Sequence, residues 1–276
     1  MENIINYFST ISSTHRALIL AGGITFFWLI ESAVPFIKFT YNKWQHAGIN
    51  IFFTITTIVV NFVLAFFLLK MANWTTETQF GILNWLPSMN PWLYTIIGLL
   101  LLDLIGAYLV HLVEHKVKFL WRFHLIHHTD TWVDTTSANR HHPGESVIRF
   151  IFTILGVLIV GAPMWMVFLY QTLSVVATQF NHANIVLPKK LDIILSYFIV
   201  SPDMHKVHHH YVLPYTDSNY GNIFSVWDRL FGTFKTLDRS QIIYGVDSHM
   251  KPDEHNNLSN LLRIPFQKYK NLNNSK

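Results

Sequence analysis

The sequence predicts an all-α integral membrane protein: a helical bundle of about three full spans plus a helical hairpin, with a histidine-rich cap on one face. Three observations predict this fold. Of the 276 residues, 51% are hydrophobic and only 13% are charged, against about a quarter charged in an ordinary soluble domain. Four long apolar stretches divide the chain, and most of its histidines fall just outside them.

The first three apolar stretches each have the length of one membrane span. Residues 17–37 contain a single charge, Glu31, residues 47–69 contain none, and residues 92–110 contain only Asp103. A helix needs about 20 apolar residues to cross the hydrocarbon core of a bilayer. Each stretch is therefore predicted to be one transmembrane helix.

The fourth stretch, residues 147–180, is too long for one ordinary span. Gly161, Ala162 and Pro163 lie near its middle, and proline following glycine interrupts a helix because it lacks an N–H and restricts the residue before it. The stretch is therefore predicted to be two helices that fold back on each other as a hairpin.

Charges in the loops predict the orientation. The loop after the first span contains Lys38 and Lys43, whereas residues 73–90 contain no lysine or arginine. Cytoplasmic loops carry an excess of basic residues, so the third span is predicted to end on the cytoplasmic face, at His111. Both ends of the hairpin return to that face.

Three segments place histidines at helical spacing, and this topology brings all three to the cytoplasmic face. Side chains three or four residues apart lie on one face of a helix. The segments are "HLVEH" with His111 and His115, "HLIHH" with His124, His127 and His128, and "HKVHH" with His205, His208 and His209. His142 and His182, at the two ends of the predicted hairpin, are further candidates.

Neutral imidazole is the commonest protein ligand for transition metals, so the cap is predicted to bind metal. One metal takes four to six ligands and the three segments supply eight histidines, which favours two ions. The chain has no cysteine, which excludes thiolate zinc sites, cysteine-ligated iron–sulfur clusters and cysteine nucleophiles. The isolated residues His15, His46, His249 and His255 are interpreted as ordinary polar side chains.

The ordered set HxxxH, HxxHH, RxHP, NH, HxxHH and "DSNYGNIFSVWDRLFGTF" resembles the fatty acid hydroxylase and sterol desaturase superfamily of membrane di-iron enzymes. The resemblance covers about residues 103–234. It implies two iron ions that use O2 and two electrons to hydroxylate, or sometimes desaturate, a lipid. By motif position it implies the ligands His111, His115, His124, His127, His128, His142, His182, His205, His208 and His209. His141 and His210 stand beside motif positions and are less favoured.

The resemblance further implies one membrane enzyme domain over residues 1–276. Residues 1–90 would supply spans, residues 91–236 the catalytic region, and residues 237–276 a polar surface tail. The expected location is the cytoplasmic face of a bacterial inner membrane or of the endoplasmic reticulum. Expected partners are a membrane lipid, such as a fatty acyl chain, sterol or alkylglycerol, and a separate electron donor. The net charge of +4 is modest and scattered, which disfavours a nucleic-acid partner.

Iron is preferred to zinc because O2 activation needs a metal that changes oxidation state, although zinc can fill such a site in purified protein. Metal-bound imidazole usually donates its other N–H to an oxygen acceptor. Candidate groups that orient the ligands in this way are Asp103, Asn181, Asp203 and Asp228.

Three other functions stay open. Desaturation would use the same site. "HLVEH" also matches the HxxEH pattern of inverted zinc proteases, in which Glu114 would act as general base, but this function leaves both HxxHH segments unused. If the chain is not a protease, Glu114 is interpreted as a solvated side chain or as one that supports a metal ligand. A metal or haem carrier without enzymatic activity could also cluster histidines, although haem needs only one or two axial ligands.

Overall fold

The computed structural model describes residues 1–268 of the chain. Within that part the regular secondary structure is helical, and the only β-structure consists of isolated β-bridges. The N-terminal half contains α1 (Glu2–Ser9), α2 (Ser13–Ala33), α3 (Lys43–Glu77), α4 (Ile82–Trp85), α5 (Pro91–Asp103), α6 (Val110–Lys116) and α7 (Lys118–His128). The C-terminal half contains α8 (Pro143–Val160), α9 (Met164–His182), α10 (Lys189–Leu195), α11 (Pro202–His208), α12 (Val226–Leu230), α13 (Pro252–His255) and α14 (Leu258–Arg263). The all-α prediction is confirmed.

Four helical segments are long and apolar enough to cross a membrane: Ser13–Ala33, Lys43–Trp85, Pro91–Lys116 and Pro143–Val160. Large apolar side chains project outward from them, including Phe62, which is 82% exposed, and Leu29. Such a surface is costly in water and favourable against lipid acyl chains. The first candidate span, α2, ends at Ala33, earlier than predicted, because Pro35 pushes the backbone of Val34 out of the helical region.

Helix α3 is longer than the predicted span. Its 35 residues extend for about 52 Å, well beyond the hydrocarbon core of about 30 Å. The N-terminal part, with His46, Asn50 and Phe53, is buried, and Asn50 bonds Thr136 in the cap. One helix therefore joins the membrane bundle to the histidine cap.

The predicted break is present, because residues 161–163 separate α8 from α9. The two helices do not pack directly on each other as a simple hairpin would, since each packs on α5. Gly161 has φ of 70°, and a Cβ at this position would lie 2.5 Å from the Phe80 carbonyl oxygen, so glycine is needed on both counts. Unlike α8, α9 is not among the four segments apolar enough to span. It packs between α2, α5 and α11, which explains its more polar sequence.

The third apolar stretch is interrupted by a π-helix at Leu104–Leu109, between α5 and α6. A π-turn adds a residue to the helical turn and changes the angular offset of the side chains on either side of it. The side chains of α5 and α6 are therefore not in the register of one regular α-helix.

Residues 237–268 do not form the surface tail that their polarity predicts. Val246, Leu261 and Ile264 are buried with Leu125 and Ile126 of α7. Ile242 and Tyr244 pack with Val133 and Val207 in a second cluster. The segment therefore covers the outer side of the histidine cap; residues 269–276 of the predicted tail lie outside the described part of the chain.

Candidate metal centre

Nine buried histidines meet where α6, α7, α9 and α11 approach one another. They form two groups, and within each group the candidate ligand nitrogens all lie within 4.8 Å of one another. The larger group contains His111, His115, His124, His128 and His208, and the smaller contains His127, His182, His205 and His209. The prediction that separate histidine segments converge is confirmed.

In the five-histidine group, His124 lies at the centre. Its Nε2 is 3.1 Å from Nε2 of His111 and 3.2 Å from Nε2 of His128. The two HxxHH segments each contribute to both groups, because the adjacent histidines at the end of each segment point in different directions. His128 and His208 join this group, whereas His127 and His209 join the other.

In the four-histidine group, His182 from the end of the hairpin lies at the centre. Its Nε2 is 3.1 Å from Nε2 of His127, 3.0 Å from that of His205 and 3.3 Å from that of His209. A single lone pair on His182 accepts at most one hydrogen bond well. Three imidazole nitrogens at this distance are therefore more than hydrogen bonding can satisfy.

The nitrogen geometry fits bound metal ions. His111 donates from Nδ1 to the Tyr220 carbonyl oxygen, and His124 donates from Nδ1 to Glu145. A neutral imidazole with this tautomer has a lone pair and no hydrogen on Nε2, so two such nitrogens 3.1 Å apart repel unless a cation lies between them. Metal–nitrogen bonds of about 2.0–2.1 Å at angles of about 90–110° separate ligand nitrogens by about 2.9–3.4 Å.

One short segment orients three of the five imidazoles in the larger group. Asp217 accepts from Nδ1 of His115 at 3.2 Å, the Ser218 carbonyl oxygen accepts from His208 at 2.6 Å, and the Tyr220 carbonyl oxygen accepts from His111 at 2.9 Å. Burial raises the pKa of the Asp217 carboxyl, but hydrogen bonds from His115 and Lys116 outweigh it and hold the pKa at about 2. Residues 217–220 therefore aim three Nε2 atoms at one point.

A buried ionic cluster supports the fourth imidazole. Glu145 accepts from His124 at 2.7 Å and from Nε of Arg149 at 2.9 Å, and Arg149 also donates to Glu114 at 2.7 Å. Glu114 is fully buried, so it is not a solvated side chain. Its salt bridge with Arg149 also differs from the free carboxylate that a protease base requires.

Of the four residues predicted to orient ligands, only Asn181 contacts one, because its Oδ1 lies 2.7 Å from Nδ1 of His182. Asp103 instead accepts from the backbone of Ile223 and Phe224 and from the Trp227 indole. Asp103 lies eight residues before His111, about two helical turns along the axis, so its carboxylate reaches residues 223–227 and not a histidine ring.

Asp228 accepts from the backbone N–H of Tyr220 and Gly221. It therefore fixes the segment that carries the Tyr220 acceptor and acts on His111 only through that segment. Asp203 pairs with Lys206 and Arg239 and is directed away from the histidines.

The structure does not bring His142 into either group. Its side chain caps α8 by accepting from the Gly144 N–H at 3.0 Å, and its ring packs on Phe123 and Phe266. The neighbouring His141 stacks on His127 and bonds Glu145 at 2.7 Å. Two adjacent histidines in RxHP cannot be told apart by spacing alone.

The structure thus defines a helical protein with four segments apolar enough to span a membrane and with a buried, histidine-rich candidate metal centre. The chain belongs to the fatty acid hydroxylase family: the family model described as fatty acid hydroxylase matches residues 95–233, about half of the chain, and includes all nine histidines of the two groups. The resemblance inferred from the histidine motifs is confirmed.

Named relatives include several lipid hydroxylases. Ornithine lipid hydroxylase OlsE of Rhizobium tropici is 27% identical over 154 residues, which are 55% of this chain and 45% of that protein. Alkylglycerol monooxygenase of Danio rerio is 28% identical over 142 residues, 51% of this chain and 30% of that protein. Cholesterol 25-hydroxylase-like protein 1, member 2, of Danio rerio is 25% identical over 155 residues, 54% of each chain.

The chain therefore spans between about a third and about half of the length of these relatives. The relatives are named hydroxylases and a monooxygenase, which are oxidoreductases. No solved structure matches the chain.

Acid is expected to destabilise the metal-free protein. Burial, followed by repulsion from neighbouring histidines, holds the pKa of His127, His128 and His209 well below the ordinary value of 6.5. Below about pH 6.5 the histidines of the unfolded chain bind protons that the folded protein excludes. The free energy of unfolding therefore falls as the pH drops below about 6.5, and these histidines do not change it at higher pH. Thermal unfolding of metal-stripped protein should show a clearly lower Tm at about pH 5.5 than at about pH 7.5. A constant Tm across this range would contradict the prediction.

Proposed function

We propose that this chain is an oxygen-dependent lipid hydroxylase that holds two iron ions, one in each histidine group. One observation carries the proposal. In each buried histidine group, Nε2 atoms of neighbouring imidazoles lie 3.0–3.3 Å apart, so that their lone pairs face one another. The reaction inserts one oxygen atom into a C–H bond. The second oxygen atom leaves as water, with two electrons and two protons supplied to the site.

Iron bound by imidazole supplies the O2 chemistry, which an unactivated C–H bond requires because it offers no proton or electrophile to acid–base groups. The protein's own residues position and shield the site. Asp217, Ser218 and Tyr220 fix three rings, and Glu145 fixes a fourth. The full burial of the histidines keeps bulk water away from the reacting carbon.

A membrane lipid is the substrate class that the surroundings favour. The helices that lead to the site present apolar side chains to the bilayer, and the relatives are named for ornithine lipid, alkylglycerol and cholesterol. A fatty acyl chain, sterol or alkylglycerol would approach from the bilayer. The electrons would come from a separate donor, on the cytoplasmic face of a bacterial inner membrane or the endoplasmic reticulum.

Desaturation is the second candidate, since it begins by removing hydrogen from the same kind of carbon. The zinc protease function is disfavoured because His111 and His115 join three further histidines and Glu114 is bound by Arg149. A haem carrier is disfavoured because nine imidazoles exceed what haem ligation needs. Purified protein without a Soret band would exclude haem.

Lipid mass spectrometry tests the function directly. Lipids from cells that express the wild-type chain should contain a species heavier by one oxygen atom, and this species should be missing from cells that express His208→Ala. A loss of two hydrogens instead would indicate desaturation. Identical lipid profiles in both strains, with both proteins present in the membrane, would contradict both reactions.

Removing the carboxylate of Asp217 is expected to weaken metal binding by about 10- to 100-fold, the usual effect of losing a group that orients a ligand. Asp217→Ala removes the acceptor for His115, whereas Asp217→Asn keeps an oxygen at the same place and should retain part of the affinity. Competition between purified protein and a chelator measures the change. The exposed Asp253→Asn is the control, and an unchanged affinity in Asp217→Ala would contradict the role.

A further inference from the structure

A patch of large apolar side chains lies on the same end of the molecule as the histidines but outside the four candidate spans. It is formed by Ile194, Tyr197, Phe198, Val226, Leu230 and Phe231, here called the apolar shelf. Phe198 is 71% exposed, Leu230 66% and Tyr197 61%. A contiguous patch of this kind on a water-facing surface marks a binding surface.

The shelf is one connected unit. Ile199 pairs with Phe224 in an antiparallel bridge, and the Ser225 N–H donates to the Phe198 carbonyl oxygen at 3.3 Å. Arg229 of α12 donates to the Ser196 carbonyl oxygen at 2.7 Å. These contacts hold the end of α10 and helix α12 side by side, so their exposed apolar side chains form a single surface.

Contacts with the third span set the depth of the shelf. The backbone N–H groups of Ile223 and Phe224 and the Trp227 indole donate to Asp103. Asp103 is the thirteenth residue of α5, about 18 Å along the helix from Pro91, whereas the hydrocarbon core is about 30 Å thick. Residues next to Asp103 therefore lie at hydrocarbon depth.

Further packing against the span agrees with this depth. Trp227 belongs to a cluster that includes Leu100 and Leu104, and the Phe231 ring stacks on Tyr108 at 5.3 Å. Non-helical backbone at membrane depth is tolerated only where its polar groups are buried in protein and satisfied. The bonds from residues 223 and 224 to Asp103 meet this requirement.

We infer that the apolar shelf is inserted into the lipid leaflet next to the metal centre, with acyl chains as its partner. Residues 191–200 and 223–231 then form a re-entrant element that dips from the cap into the bilayer beside the third span, while the histidine segment between them stays in the cap. Lys189 and Lys190, exposed at the start of α10, suit anionic headgroups at the leaflet surface. This inference concerns the membrane and does not depend on the proposed reaction.

The chain contains no cysteine, so one introduced cysteine gives one labelling site. Phe198→Cys and Leu230→Cys remove side chains that are mostly exposed and should leave the fold unchanged. Each full-length variant is spin-labelled and reconstituted into vesicles of phosphatidylcholine and phosphatidylglycerol. Collision with apolar O2 and with a water-soluble nickel chelate is then measured.

The controls are Phe62→Cys, on the outward face of a candidate span, and Ser259→Cys, exposed on α14. Labels at positions 198 and 230 should give a ratio of O2 to nickel accessibility equal to that at position 62 and several-fold above that at position 259. A ratio like that at position 259 would place the shelf in water. Low accessibility to both probes would mean that protein, such as a second copy of the chain, covers it. Either result overturns the inference.

Discussion

Replacing His124 with alanine is expected to abolish hydroxylation and to remove the metal of the five-histidine group. His124 lies at the centre of that group, with Nε2 close to both His111 and His128 and Nδ1 held by Glu145. Losing a group that only orients a ligand costs about 10- to 100-fold in affinity or activity, so losing a central ligand should cost more. Elemental analysis of gently purified, ferrous-loaded protein should show at least one iron fewer per chain than in the wild type.

The matched control is His142→Asn, which changes a histidine that the sequence predicts as a ligand and the structure places outside both groups. Asparagine retains the helix cap that His142 provides, so this variant should keep its iron and its activity. Iron loss in His142→Asn would restore the ligand role predicted from RxHP. Full iron in His124→Ala would contradict the two-group site.

Replacing Arg140 with methionine is expected to destabilise the protein by about 3–5 kcal/mol, the usual cost of removing one partner from a buried ionic network. Arg140 is 1% exposed. It donates to the carbonyl oxygens of Ile126 and His255 and to Asn50 at 3.1 Å. One side chain therefore joins α3, α7 and the C-terminal segment behind the histidines, and each acceptor would be left buried without its donor.

Unfolding of purified protein in detergent, followed by heat or denaturant, measures this effect. Arg263→Met, at an exposed position on α14, is the control and should change stability by less than about 0.5 kcal/mol. Equal stability of the two variants would show that the buried guanidinium contributes nothing.

Much of the membrane bundle could be predicted from local sequence. Span-length apolar runs and the Gly161–Pro163 break depend only on nearby residues, and both are present in the structure. The surface tail was a wrong prediction because it was based on the average polarity of the segment. Val246 follows a short apolar run, and Leu258, Leu261 and Leu262 have helical spacing, so short apolar patterns were present inside the polar segment.

The centre divides in the same way. The spacing within three short segments, together with the Asn181-His182 pair, was enough to find nine histidines that the structure brings together. Apart from Asn181, the acceptors that orient them were missed. Two of them are the backbone carbonyl oxygens of Ser218 and Tyr220, and every residue type has such a carbonyl. Glu145, Arg149 and Asp217 offered charge without any indication of their partners.

The sequence by itself determined that this chain is helical, apolar enough to enter a membrane and supplied with clustered imidazoles, because helix period and composition act over a few residues. Only the tertiary structure decided how the histidines divide into groups of five and four, that His142 caps a helix, and that Asp103 binds the 223–227 segment. These features depend on where side chains from distant segments point. The spacing of residues within a sequence motif does not specify those directions.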